Sequence, residues 1–412
     1  MKNDIRTHLN EPTQLEKLYR ANKVAFKQDF DQLYPELKGN TLADFWQARL
    51  HYETDEINWG TNRELVVLML LSLVAGMLAK LPAFVSIDQT FFYSRNVGFI
   101  VFPALMVYFA WKNSLPMRKT GVLAVLTLIG LVFINTFPDV KKSDTLMLSC
   151  LHILLYLWSI LGLAFVGDWR NANEKRLRYL KYNGDLIVMT ALILMAGGIM
   201  TGITIGLFEL IGLSIQKFYF ENVVVFGLPI APILGTYLTQ TNPQLVGKVS
   251  PVIAKLFSPL VLVMLVIYLA AIINSGKNPY NDREFLLIFN GLLLGVMAII
   301  FFSIAESSTK SRPEVWILLL LSMVTIVVNG IALSAILFRI SAWGITANRA
   351  AVLGGNVLIL INLVLVSAQL FRVLSTKKSL ADVGVSIASY LPLYCIWAGV
   401  VTFIFPLLFG YK

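Results

Sequence analysis

Charge is scarce in this chain. Asp, Glu, Lys and Arg make up 14% of its 412 residues, against about 25% in a soluble domain, which is too little polar surface to keep a globule of this size dissolved. Histidine occurs three times and cysteine twice. Cys150 and Cys395 both fall inside apolar runs with no metal-ligand spacing, so they read as small apolar residues rather than as a zinc site or a disulfide framework. Also missing are a GxSxG elbow, an HExxH pair, a Walker loop and a Gly-rich dinucleotide turn. The sequence therefore names no catalytic residue, no metal and no cofactor. There is no apolar leader at the N-terminus, and no cleaved signal peptide is expected.

What the chain has in quantity is apolar surface: 57% of its residues are hydrophobic and its mean hydropathy is +0.71. From residue 65 onward, apolar runs long enough for a hydrocarbon core of about 30 Å follow one another almost without pause. About eleven can be counted, among them 65–84, a short second run at 97–111, a fifth at 186–212, a sixth at 222–238 and a tenth at 351–371. The fold class expected is an all-α polytopic membrane protein, with residues 65–412 as the transmembrane bundle and residues 1–64 as a small cytoplasmic helical hairpin.

The first 64 residues carry a net charge of about −2 and the remainder about +12. Basicity thus belongs to the membrane loops, which favours contact with anionic lipid head groups over nucleic-acid binding. Lys112, Arg118 and Lys119, then Arg170, Lys175, Arg176, Arg178 and Lys181, and later Arg372, Lys377 and Lys378 fall in alternate loops. By the positive-inside rule this bias puts the N-terminus in the cytoplasm and, with an odd span count, the C-terminus outside. In the N-terminal segment, Leu15, Leu18, Ala25, Phe26, Phe30 and Leu33 share one helical stripe closed by Pro35. A second helix capped by Thr41 brings Leu42, Phe45, Trp46 and Leu50 together. The hairpin would lie on the first span or the inner loops as structural support, or dock a cytoplasmic protein partner.

Several patterns inside the spans suit a site, and each also has a structural explanation. Gly198, Gly202 and Gly206 form a small-residue stripe that admits a close helix partner. Glu209 lies only about 20° from Gly198 around the helix, either as a buried proton, cation or substrate group or as a wet residue near the interface. Pro229 and Pro232 could break the sixth span beside a cavity, or merely kink it. Gly355, Asn362 and Gln369 recur every seven residues, as interhelical hydrogen bonding or as the wall of a polar path. Lys80 and Lys255 suit interfacial snorkelling, His152 is a lone histidine near a span start, and Asn281 with Glu284 has capping-box spacing.

The stretch "FRISAWGITANRAAVLGGN", residues 338–356, reads as a tight turn in which Gly344 ends one helix and Thr346 caps the next. It also brings Arg339 and Arg349 towards each other. Two guanidinium groups there could grip a phosphate or carboxylate, anchor the turn to lipid, or cap the preceding helix.

This stretch, together with "YLAAIINSG" and "REFLLIFNGLL", resembles an uncharacterised bacterial membrane family, domain of unknown function 4153, over roughly residues 185–412. The resemblance departs after Arg349, where Ala350 and Ala351 replace an aromatic pair often found in that family. It implies an all-helical bacterial inner-membrane protein and supplies no catalytic residues. Three functions stay open: binding or transport of a small polar, anionic or lipid-like molecule within the bundle, a signalling scaffold with a docking hairpin, or a membrane-embedded transferase. A connected polar cavity reaching mid-membrane would favour transport, a sealed core the scaffold, and a carboxylate cluster facing a lipid-accessible groove the enzyme.

Overall fold

The computed structural model describes residues 2–21, 23–51, 60–140, 143–167, 172–210, 213–243, 255, 258–267, 269–270, 283–306, 310–376 and 379–412. These are almost entirely helical, with no strand among the described residues. Arg170, Asn281, Lys377, Lys378 and most of segment 268–276 lie outside them, as does the Glu284 side chain.

The chain divides into two compact units, residues Met1–Ile57 and Asn58–Lys412. The first is a bundle of four short helices, α1 (Lys2–Thr7), α2 (Pro12–Ala21), α3 (Lys23–Leu37) and α4 (Thr41–His51), where the sequence suggested a two-helix hairpin. Its own core is built from Ile5, Leu15, Phe26, Phe30, Leu33, Ala43, Trp46 and Leu50. Phe45 is not among them. It is 57% exposed, because one step of about 100° from buried Trp46 turns it to the outer face. Glu16 accepts from Arg20 at 2.8 Å and pairs with Arg49 at 2.9 Å. The Arg20 hydrogen bond is the main reason its carboxyl titrates below the usual carboxylate range.

In the second unit, α5 (Asn62–Ala79) opens on a capping box in which Thr61 and Glu64 satisfy each other's backbone N–H groups at 3.1 and 3.2 Å. The short α6 (Leu81–Val85) turns the chain into α7 (Gln89–Lys112), then α8 (Met117–Thr136), α9 (Asp144–Val166) and α10 (Asn173–Leu210). Next come α11 (Gln216–Tyr219), a π-helical turn over Phe220–Val224 and α12 (Val225–Thr241). An apolar α13 (Ser258–Ile267) and α14 (Arg283–Glu306) lead to α15 (Arg312–Trp343), α16 (Ala347–Thr376), α17 (Leu380–Gly399), a second π turn over Val400–Ile404 and α18 (Phe405–Leu408). Among the described residues nine helices are long and apolar enough to cross a membrane, and two shorter apolar helices accompany them.

Three expectations need correction. The second apolar run extends eight residues further back than its hydropathy suggests, since Asp88 caps the helix by accepting from the Phe91 N–H at 2.7 Å. Pro229 and Pro232 do not break their helix, which runs on through both. A proline ring presses on the carbonyl four residues earlier. For Pro406 that is Thr402, inside the second π turn, whose carbonyl accepts instead from the Ser149 hydroxyl at 2.9 Å.

The third correction concerns Gly198, Gly202 and Gly206, where an added Cβ would meet nothing within 4 Å among the described residues. Their part of α10 projects free of the packed helices, with Met195, Ile199 and Ile203 all exposed. The close approaches fall at other glycines. A Cβ on Gly184 would strike the Phe302 ring, one on Gly76 the Phe226 ring, and one on Gly354 the indole of Trp397.

Candidate functional site

The site begins at Gly98 on α7. A Cβ there would lie 2.7 Å from Leu154 and 2.9 Å from Leu157, so the missing side chain lets α7 press against α9. On its own side α8 rests against α9, with Gly130 beneath Tyr156 and Ile153. α7 and α8 also touch midway, where Gly130 lies by the Phe99 ring and the Thr127 hydroxyl is 3.4 Å from Met106 Sδ. Between them runs a groove of about 870 Å³.

The groove extends from Phe91 to Ala110 on α7 and from Thr120 to Thr136 on α8. Nineteen residues of helix at 1.5 Å each span about 28 Å, close to the roughly 30 Å of a bilayer's hydrocarbon core. Its walls are apolar, including Phe99, Pro103, Met106, Leu123 and Leu131. Val107, Leu128 and Val132 line it and are about half exposed, so it opens sideways. Thr127 and Thr136 contribute no free donors, because each hydroxyl donates to a carbonyl one turn back at 2.8 Å.

One end of the groove is polar. Asn96 and Asn135 face each other across it as a reciprocal amide pair, donating to each other's Oδ1 at 2.9 and 2.8 Å. The second Asn135 N–H goes to the Leu131 carbonyl at 2.9 Å. Interhelical bonds of this kind contribute about 0.6 kcal/mol each and up to about 1.7, enough to join the helices at this end. Beside the pair Arg95 is 2% exposed. Its Nη1 donates to the Ile134 and Phe137 carbonyls at 2.8 and 2.9 Å, its Nη2 lies 3.5 Å from Asp139, and Phe91 covers its face at 4.3 Å. Arg95 thus caps the C-terminus of α8, where carbonyls lack intrahelical partners.

Arg349 has the same task at the end of α15. Its Nη1 donates to the Trp343 and Gly344 carbonyls at 3.0 and 2.6 Å. Both Arg339 and Arg349 lie within 6 Å of the Trp343 ring, at 5.8 and 5.7 Å. The two arginines therefore do meet, but around an indole and two carbonyls.

The other residues singled out in the sequence are dispersed. Glu209 is exposed near the end of α10, where the helix has left the bundle, so it faces no packed partner among the described residues. Asn362 is fully buried and donates to the Tyr394 hydroxyl at 3.0 Å, joining α16 to α17. Gln369, two turns further on, lines a separate open pocket of about 460 Å³ with Asp382, Ser386 and Ser389. Lys80 donates to Asn222 in the first π turn, and the His152 ring nitrogen contacts the Leu148 carbonyl at 2.9 Å. Among the described residues no three His, Cys, Asp or Glu side chains gather as metal ligands.

Sequence reasoning passed over Arg95, Asn96 and Asn135. The signal was present in "YSRNVGF" and "VFINTF", polar residues at the edge of apolar runs, but it depended on recognising Asp88 as the helix start. It also passed over Asp185, a buried carboxylate on α10.

The chain is a polytopic α-helical membrane protein, with a laterally open groove of about 870 Å³ lined mainly by α7 and α8. No protein-family model, curated protein or solved structure matches it, so the functional reading rests on the groove.

Proposed function

We propose that the protein binds a lipid-like molecule, one long-chain amphiphile held in the groove between α7 and α8. The observation that supports this most directly is a laterally open apolar trough about 28 Å long, close to the depth of a bilayer's whole hydrocarbon core with its two opposed chains, so that one extended chain fits within it with length to spare. Amides at one end give the occupant a direction. A charged solute would find no counter-ion along the walls, and an enzyme acting on lipid would need reactive groups that the described walls lack.

In the same proposal the protein resides in a bacterial inner membrane with its N-terminus cytoplasmic. The family resembled by residues 338–356 and the inward bias of Lys and Arg support that placement. Ala124, exposed on α8 and lining the groove, provides the test. Ala124→Trp fills the trough without touching the core. Protein purified from native membranes carries a co-purifying lipid by mass spectrometry, and the variant loses most of it at unchanged yield. Equal retention by the two proteins would show that the groove holds nothing.

A further inference from the structure

Resting on that reading, we infer that the head of the bound amphiphile is an uncharged alcohol, a hydroxyl-bearing lipid rather than a phospholipid. The hydrogen-bonding capacity left at the polar end of the groove carries this inference. Asn135 has spent both amide protons, one on Asn96 and one on the Leu131 carbonyl. Asn96 has spent one, on Asn135, and keeps one. Each amide oxygen accepts one bond from its partner and retains a lone pair. What remains is one donor beside two acceptors. The nearby threonine hydroxyls add only acceptors, since their protons are turned back onto their own helices.

A hydroxyl matches that pattern, because it donates to an amide oxygen and accepts from the spare Asn96 N–H at once. A phosphate offers acceptors alone and would meet one N–H among several oxygens. No cation lines the groove to offset its charge. The adjacent guanidinium does not serve, for Arg95 is 2% exposed, committed to two carbonyls and shielded by Phe91, with the Asp139 carboxylate at 3.5 Å. An ester or ether head lacks a donor and would leave the spare lone pair of each amide oxygen unused.

The test uses three lipids with identical chains: dioleoylglycerol, its acetate ester and dioleoyl phosphatidic acid. Each is titrated into full-length protein in detergent and the bound fraction is read by native mass spectrometry. All three heads can accept from the spare Asn96 N–H, so the alcohol gains one additional neutral hydrogen bond, its donation to an amide oxygen, which predicts a preference of the wild type for dioleoylglycerol of up to about tenfold. The double variant Asn96→Leu with Asn135→Leu keeps the volume, removes every amide group at this end and should bring the three lipids level while chain binding persists. If that variant yields too little protein, the wild type's own ranking of the three lipids decides the assignment. Phosphatidic acid or the acetate binding the wild type as tightly as the alcohol would overturn the head-group assignment and leave chain binding standing. All three lipids binding Ala124→Trp as they bind the wild type would overturn the groove reading itself.

Discussion

Replacing Gly184 and Gly202 by alanine, one at a time, separates two ways in which a glycine can sit on one helix. Both lie inside α10, so both substitutions gain the same helix propensity, about 1 kcal/mol in favour of alanine. They differ in what the new methyl meets. At Gly202 it meets nothing within 4 Å, whereas at Gly184 it enters the space of the Phe302 ring, which must move. Overpacking of this kind costs about 1 to 3 kcal/mol. Gly202→Ala should therefore be stabilising by up to about 1 kcal/mol. Gly184→Ala should be less stable than Gly202→Ala by about 1 to 3 kcal/mol, the shared propensity cancelling in the difference. Unfolding of the purified protein by sodium dodecyl sulfate in mixed micelles, followed by far-ultraviolet circular dichroism, measures both. Equal midpoints, or a lower midpoint for Gly202→Ala, would refute the reasoning and place a packed helix on the Gly198, Gly202 and Gly206 stripe.

The two capping arginines should be unequal. Arg95→Met removes two charge-assisted bonds to carbonyls in a buried setting, worth about 1.5 to 3 kcal/mol each, while Arg349→Met exposes carbonyls that water can reach and should cost about 1 kcal/mol. The same unfolding assay checks this, and equal losses would count against it. For orientation, single cysteines at Met117 and Val140, exposed at opposite ends of α8, should respond oppositely to a membrane-impermeant thiol reagent in intact cells. The loop charges put Val140 outside and Met117 inside, and labelling of Met117 alone would invert the topology.

Much of the architecture was legible in composition and hydropathy, because a bilayer imposes a simple rule: a span must be helical and apolar for about 20 residues. That rule identified an all-helical membrane protein. In the N-terminal unit Leu15, Phe26, Phe30 and Leu33 are core residues, but they sit on two helices, α2 and α3, rather than on one stripe. Leu18 is only partly buried, the Ala25 side chain lies outside the described residues, and Pro35 lies inside α3 instead of closing it. Features set by which helix touches which were not legible. The glycines at 198, 202 and 206 have ideal spacing for close packing, yet Gly98, Gly184 and Gly354 make the contacts. Spacing records what a helix permits, and only the neighbouring helix decides whether it is used. Pro229 and Pro232 could be read as a break or a kink because each removes a backbone donor, and the helix in fact runs on through both. The groove had no signature at all. Its walls are ordinary span residues, indistinguishable in sequence from those facing lipid elsewhere, and its shape follows from how Gly98 and Gly130 seat α7 and α8 against α9 and from the Asn96–Asn135 pair that joins them at one end. The sequence alone determined that this chain lives in a membrane, since that follows from apolar content summed along the chain. Tertiary structure decided where a ligand can sit, since a cavity is a relation between surfaces that are distant along the chain.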